Sequence, residues 1–146
     1  MKKFFLLIQI LSIVLISTSI SKSGQTNFLD QGISLFEKKK FDKSKIFFEK
    51  DIVFNPRSEK SYLYLAKIYN HEENQRKEEY NLETALLIEP DNEEVLLMLM
   101  KIALKKSNYS KVKNLSQTFA KVCQKLCDEN NQIQESLKNI EPKNES

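Results

Sequence analysis

The sequence predicts an all-α protein, a helical-hairpin repeat solenoid of about three hairpins followed by a C-terminal capping helix. Pro56 and Pro90 lie 34 residues apart, in Phe54-Asn55-Pro56-Arg57 and Ile88-Glu89-Pro90-Asp91, and a fixed period of this length marks an array of helical pairs. With that period imposed, Phe28, Tyr62 and Leu96 come into register, as do Leu29, Leu63 and Leu97, Leu35 and Tyr69, Phe41 and Tyr109, and Phe48 and Leu82. Two glycines and three prolines in 146 residues are too few for an all-β chain, which needs turn residues at short intervals.

The first element is an export signal over residues 1–21. Lys2 and Lys3 precede an apolar run, Phe4 to Ile16, broken only by Gln9 and Ser12. Ser19 and Ser21 fill the small-residue positions before a cut after Ser21. The competing expectation is an uncleaved anchor, since Phe4 to Ile20 is at the short limit of a membrane span. Cleavage would remove Lys2 and Lys3 and take the net charge from +3 to +1. A near-neutral chain gains little from nucleic acid or anionic lipid. Only two of its 23 basic residues, Arg57 and Arg76, are arginine, which argues further against nucleic-acid readout.

Three repeats follow, over 25–58, 59–92 and 93–127. Apolar residues recur at three- and four-residue steps, as in Tyr62, Leu65, Ala66 and Tyr69, which is the face of a helix. Polar breaks at Lys38–Lys40, Glu72–Gln75 and Ser107–Asn108 divide each repeat into two helices. Pro56 and Pro90 end the second helices. Ser58 is expected to cap the helix from Glu59, and Asp91 with Glu94 to form a capping pair for the next. Ile133, Leu137 and Ile140 then space as one stripe of a capping helix over 129–140, with 141–146 a frayed tail.

This pattern resembles the tetratricopeptide repeat (TPR) family. The second repeat carries the resemblance best, through Tyr62, Leu65, Ala66, Tyr69, Leu82, Ala85 and Pro90. The first contributes Phe28, Gly32, Phe41, Ser44, Phe48 and Pro56. The third is degraded: Met100, Val112, Phe119 and Gln124 stand where small residues and proline belong. Met100 and Phe119 are therefore expected to splay that hairpin.

The resemblance implies a concave groove lined by the first helix of each repeat. Carried over by position, the groove takes Leu29, Asp30, Ile33 and Phe36, then Leu63, Tyr64, Lys67 and His71, then Leu97, Met98, Lys101, Leu104 and Lys105. It would set an apolar ladder (Leu29, Leu63, Leu97) beside a basic strip (Lys67, Lys101, Lys105), a surface suited to a peptide segment of a partner protein. The alternative is that the ladder packs between neighbouring repeats. The branch of the family that grips a terminal carboxylate places Lys and Asn where Leu29, Ile33 and Tyr64 stand here, so that clamp is not implied.

Little else points to chemistry. His71 is the only histidine, the two glycines (Gly24, Gly32) make no phosphate loop, and no metal site, cofactor or catalytic set follows from the spacing. Cys123 and Cys127 are a candidate disulfide in an exported chain. Residues four apart on a regular helix hold their Cβ atoms about 5–6 Å apart, against about 3.8 Å in a disulfide. A bond therefore requires the helix to tighten or break, and the polar stretch Asp128–Asn131 is a candidate for the break. Two reduced thiols packed with Phe119, Val122 and Leu126 are the alternative.

The functional expectation is a non-enzymatic, exported (periplasmic or secreted) interaction scaffold that binds another protein through its groove. A membrane-tethered structural subunit of an envelope complex, facing the periplasm, is the second expectation. A thiol-dependent redox protein or enzyme is the third.

Overall fold

The computed structural model describes residues 27–140; the expected signal segment and frayed tail lie outside them. Among the described residues seven helices follow one another: α1 (Phe28–Glu37), α2 (Phe41–Phe54), α3 (Glu59–His71), α4 (Gln75–Ile88), α5 (Glu93–Lys105), α6 (Tyr109–Val122) and α7 (Cys127–Ile140). No strand and no helix long and apolar enough to cross a membrane occurs among the described residues. The pairs α1/α2, α3/α4 and α5/α6 form three antiparallel hairpins. Backbones of the first helices come together at two of the three junctions (α1 with α3, α5 with α7), whereas no two second helices approach as closely. The first helices are thus the inner layer and the second helices the outer.

The 34-residue period is written into the backbone. Lys39, Glu73 and Ser107 each take a positive φ of 56°, a left-handed conformation that side chains with a Cβ seldom adopt. Each turn closes the same way. The N–H of Lys40 donates to the carbonyl of Leu35 (2.9 Å) and that of Lys39 to Phe36 (2.8 Å); Asn74 and Glu73 donate to Tyr69 and Asn70, and Asn108 and Ser107 to Ala103 and Leu104. This paired closure satisfies carbonyls that a helix end otherwise leaves open.

In two of these turns the next residue also starts the following helix. The side chains of Asn74 and Asn108 accept from the N–H groups of Lys77 (3.2 Å) and Lys111 (3.1 Å). The first turn has Lys40 there and no side-chain cap. Lys40→Asn is therefore expected to stabilise the chain by about 1 kcal/mol. Chemical denaturation would check this, and an unchanged midpoint would show that the first hairpin cannot use the cap.

Two capping expectations are corrected. Ser58 stands at the N-cap of α3 without a cap bond, its hydroxyl donating instead to Ser61 Oγ at 3.1 Å. Ser61 in turn donates to Asp51 at 2.6 Å, so the hydroxyl is drawn into a link between α2 and α3. Helix α5 is capped by Asn92, which accepts from the Val95 N–H at 3.0 Å, and not by Asp91 with Glu94.

Hairpin closeness rests on matched sizes. Gly32 is buried, and a Cβ there would lie 2.6 Å from the ring of Phe48, itself fully buried. The equivalent pairs one and two periods on are Ala66 with Leu82 and Met100 with Ser116. As the first-helix residue grows, its second-helix counterpart shrinks. At the position equivalent to Phe48 and Leu82, the third hairpin, the one expected to splay at Met100, has the small residue Ser116. The third hairpin still brings its backbones together at fewer points than the second. Met100 and Phe119 fill its core with Leu96, Leu97, Val112, Ile133 and Leu137.

The capping helix begins at Cys127, two residues earlier than expected and 34 residues after Glu93. It occupies the place of a fourth first helix. The chain breaks at 123–126, with Cys123 extended (φ −61°, ψ 136°), and Asp128–Asn131 is helical. A disulfide joins Cys123 to Cys127 with Cα atoms 5.4 Å apart. Equivalent linkers earlier in the chain hold Pro56 and Pro90, whereas this one holds Gln124. A covalent closure of the linker thus stands where proline otherwise restricts it. The carboxylate of Glu93 accepts from the N–H groups of Leu126 (2.9 Å) and Lys125 (3.0 Å). Those two bonds hold its pKa below the ordinary range. Ser116 binds α7 through Asn130 (2.6 Å) and Gln134.

Candidate partner-binding face

The inner layer presents three helix faces in sequence, and burial divides the expected groove residues. Leu63 and Leu97 are buried at 6% and 7% exposure. Leu63 lies in the core with Ala66, Leu82, Val95 and Leu99, and Leu97 in the core of the third hairpin. They are inter-repeat packing and not a ladder open to a ligand, because their strip of the helix points at the neighbouring hairpin. Leu29, Ile33 and Phe36 are half-buried and pack on the cluster of Phe48, Leu65, Ile68 and Tyr69.

Tyr64 is half-buried at the junction of the first two hairpins. Its ring stacks on Phe48 (centroids 5.1 Å apart) and meets Phe36 edge-on at 5.0 Å. Lys67 Nζ sits 4.8 Å from its centroid. One face of this tyrosine is therefore structural. His71 is exposed, with its ring 4.5 Å from that of Phe41.

The basic strip is largely paired. Lys67 bridges to Glu94 at 2.8 Å and Lys101 to Glu129 at 3.3 Å. Each bridge joins a first helix to the next, so these lysines help hold the layer's register. Pairs of this exposure contribute little stability, about 0.2–1 kcal/mol, and exchange readily with a ligand's charge. On the outer layer Lys111 bridges Glu79 (2.9 Å) and Glu83 (2.7 Å) in the same repeat-to-repeat manner.

What the structure does bring together is Met98, Lys101 and Lys105. These three groove residues and Ile102, all on α5, line a cleft of about 250 Å³. Asn70, near the end of α3, and Gln75 and Glu78, in the first turn of α4, line it as well. The last two were not expected at the site, since they belong to a second helix. Glu78 is buried at 5% exposure and accepts a hydrogen bond from Asn70 Nδ2 at 2.9 Å. Burial pushes its carboxyl up, opposed by the Asn70 bond and the charge of Lys105. Gln75 Nε2 is buried without a hydrogen-bond partner.

The outer layer has its own apolar pattern. Ile46 and Tyr80 stand at one repeat position and Val53 and Leu87 at another, all exposed, with Val53 75% and Leu87 83% accessible.

No family model matches the chain, and no curated protein matches it. Solved structures do. The chain is similar to the Yersinia enterocolitica type III secretion chaperone SycD, solved with a peptide of the translocator YopD (TM-score 0.65, 8% identity, 77% of this chain and 88% of that one). It is similar to the first TPR of Spaghetti (RPAP3), bound to an HSP90 peptide (TM-score 0.66, 11% identity, 77% and 92%). A third is the Sgt2 TPR domain from Aspergillus fumigatus (TM-score 0.62, 14% identity, 77% and 75%). The fold is that of a tetratricopeptide-repeat array. In this TPR array the cleft on α5 opens on the layer of first helices.

Proposed function

We propose that the protein is an exported scaffold that holds a segment of another protein on its inner face, and that it carries out no chemistry of its own. The cleft lined by Met98, Lys101 and Lys105 carries this reading, since it sets apolar Met98 and Ile102 beside two ammonium groups on a first helix. Two of the similar structures were solved with a peptide of a partner, which supports a protein ligand. Export rests on Lys2, Lys3 and the apolar run from Phe4.

A photo-crosslinking residue in place of Met98 is expected to capture a discrete envelope protein in cells. The same residue in place of Lys121, exposed at the end of α6, should not. Equal labelling from both positions would sink the inner-face assignment. Tyr64, packed against Phe36 and Phe48, is a poor probe because its loss disturbs the core.

A second reading is a membrane-tethered structural subunit that retains residues 1–21. The exposed outer pairs Ile46/Tyr80 and Val53/Leu87 favour it, as they offer a larger assembly an apolar contact. Mass spectrometry of the native N-terminus separates the readings: a chain beginning near Lys22 removes the tether.

A further inference from the structure

The outer face of the array is unevenly apolar. On α2, Ile46, Glu49, Lys50 and Val53 are all exposed and stand at i, i+3, i+4 and i+7, so they form one strip along the helix. One period on, α4 carries Tyr80, Glu83, Thr84 and Leu87 at the same spacing. Both strips are apolar at their ends and polar in the middle. The equivalent strip on α6 is Asn114, Gln117, Thr118 and Lys121, polar throughout. A strip that faces only water has that composition, and the first two depart from it at their ends alone.

Large apolar side chains left this exposed mark a contact surface, and their order points to the occupant. Each strip reads apolar, polar, polar, apolar in either direction. A two-fold axis sets a surface against its own reverse. A second copy lying antiparallel on the first therefore places Ile46 against Val53 and Tyr80 against Leu87, while Glu49 meets Lys50 and Lys50 meets Glu49. The midpoints of the two strips are one period apart, so a single axis serves both helices. Laying α2 on the other copy's α4 would instead oppose Glu49 to Glu83. Lys50 Nζ lies 5.9 Å from the Phe28 ring and 5.6 Å from that of Phe47, contacts that leave its N–H groups for a carboxylate.

We infer that α2 and α4 form a two-fold interface between copies of this chain. The inference goes beyond the peptide-binding reading and does not use it, since none of these residues belongs to a first helix. A second copy is enough to cover the exposed outer residues. Four apolar side chains per copy make a small contact, in the class below about 1,200 Å² in total, so the copies are expected to exchange rather than pair permanently.

Co-expressing two differently tagged full-length chains, each with a photo-crosslinking residue in place of Leu87, tests this in cells. A product carrying both tags is expected, joined at or beside Tyr80 of the second copy when mapped by mass spectrometry. A product with a different protein, or no product, overturns the interface. A two-tag product joined elsewhere, at Val53 or on α7, overturns the two-fold arrangement. Charge reversal then tests the pairing. Glu49→Lys sets like charges across the axis, as does Lys50→Glu, and either variant alone should lower the two-tag yield at least about fivefold. Co-expressing one variant with the other restores both opposite pairs, so the mixed product should return to the yield of the unaltered chain. That recovery also shows that both variants fold. A mixture no better than either variant alone overturns the proposal.

Discussion

Gly32→Ala is expected to destabilise the chain by about 2–3 kcal/mol, a large cost for one methyl group. The new Cβ would lie 2.6 Å from the Phe48 ring, which is fully enclosed and cannot swing away. Nor can the helices part at that level, because Ser44 Oγ donates to the Gly32 carbonyl at 2.7 Å from the opposite helix. The second hairpin shows the remedy, an alanine opposite a leucine at Ala66 and Leu82. Phe48→Leu, destabilising alone by about 1–2 kcal/mol through lost volume, should therefore offset much of the Gly32→Ala cost when the two are combined. A double-mutant cycle by urea denaturation should give a favourable coupling of at least about 1 kcal/mol. Simple addition of the two costs would show that the size match is incidental.

Raising the pH should weaken the fold through Glu59. This carboxyl is buried at 7% exposure where the second and third hairpins meet. Burial, then the charge of Glu89 and a hydrogen bond with it, push its pKa up to about 7, while Asn92 Nδ2 donates to it at 2.7 Å. The folded chain therefore holds a proton that the unfolded chain, with an ordinary carboxyl, has released. The stabilisation from that proton is full below about pH 4.5 and is lost as the pH rises through about 7. The loss is of order 1–3 kcal/mol across this window. Glu59→Gln keeps an acceptor for Asn92 and carries no charge. Its stability should be flatter between pH 5 and 8 and should exceed that of the unaltered chain at pH 8. Parallel pH profiles for the two proteins would assign the dependence elsewhere.

The hairpins were legible because the apolar faces and the two linker prolines repeat at one period, and a period survives the loss of individual matches. Their turns were not, since the left-handed residues are Lys39, Glu73 and Ser107 and none announces that backbone by its side chain. A signal for two of the caps was present: Asn74 and Asn108 also stand 34 apart. The face offered to a partner was harder to read. On the inner helices, the strip that packs against the next hairpin lies beside the strip that faces out, and Leu63 and Tyr64 are neighbours in sequence but differ in role. The pairing of Lys67 with Glu94 joins residues 27 apart, a separation that helical spacing within one element does not reveal. Gln75 and Glu78 were missed because the resemblance assigns the groove to first helices alone.

The start of α7 one full period after α5 has a consequence for length. A linear array of identical units has no intrinsic reason to stop, and its last exposed surface is a template for further growth. Here Gln134 occupies the place at which Gly32 receives Phe48 and Ala66 faces Leu82. Its amide turns back to Ser116, and no second helix follows among the described residues. The last described rung thus has the backbone register of the earlier first helices but presents a polar side chain where they present glycine, alanine or methionine. Packing a further helix on it would mean displacing a hydrogen bond that no earlier rung makes there.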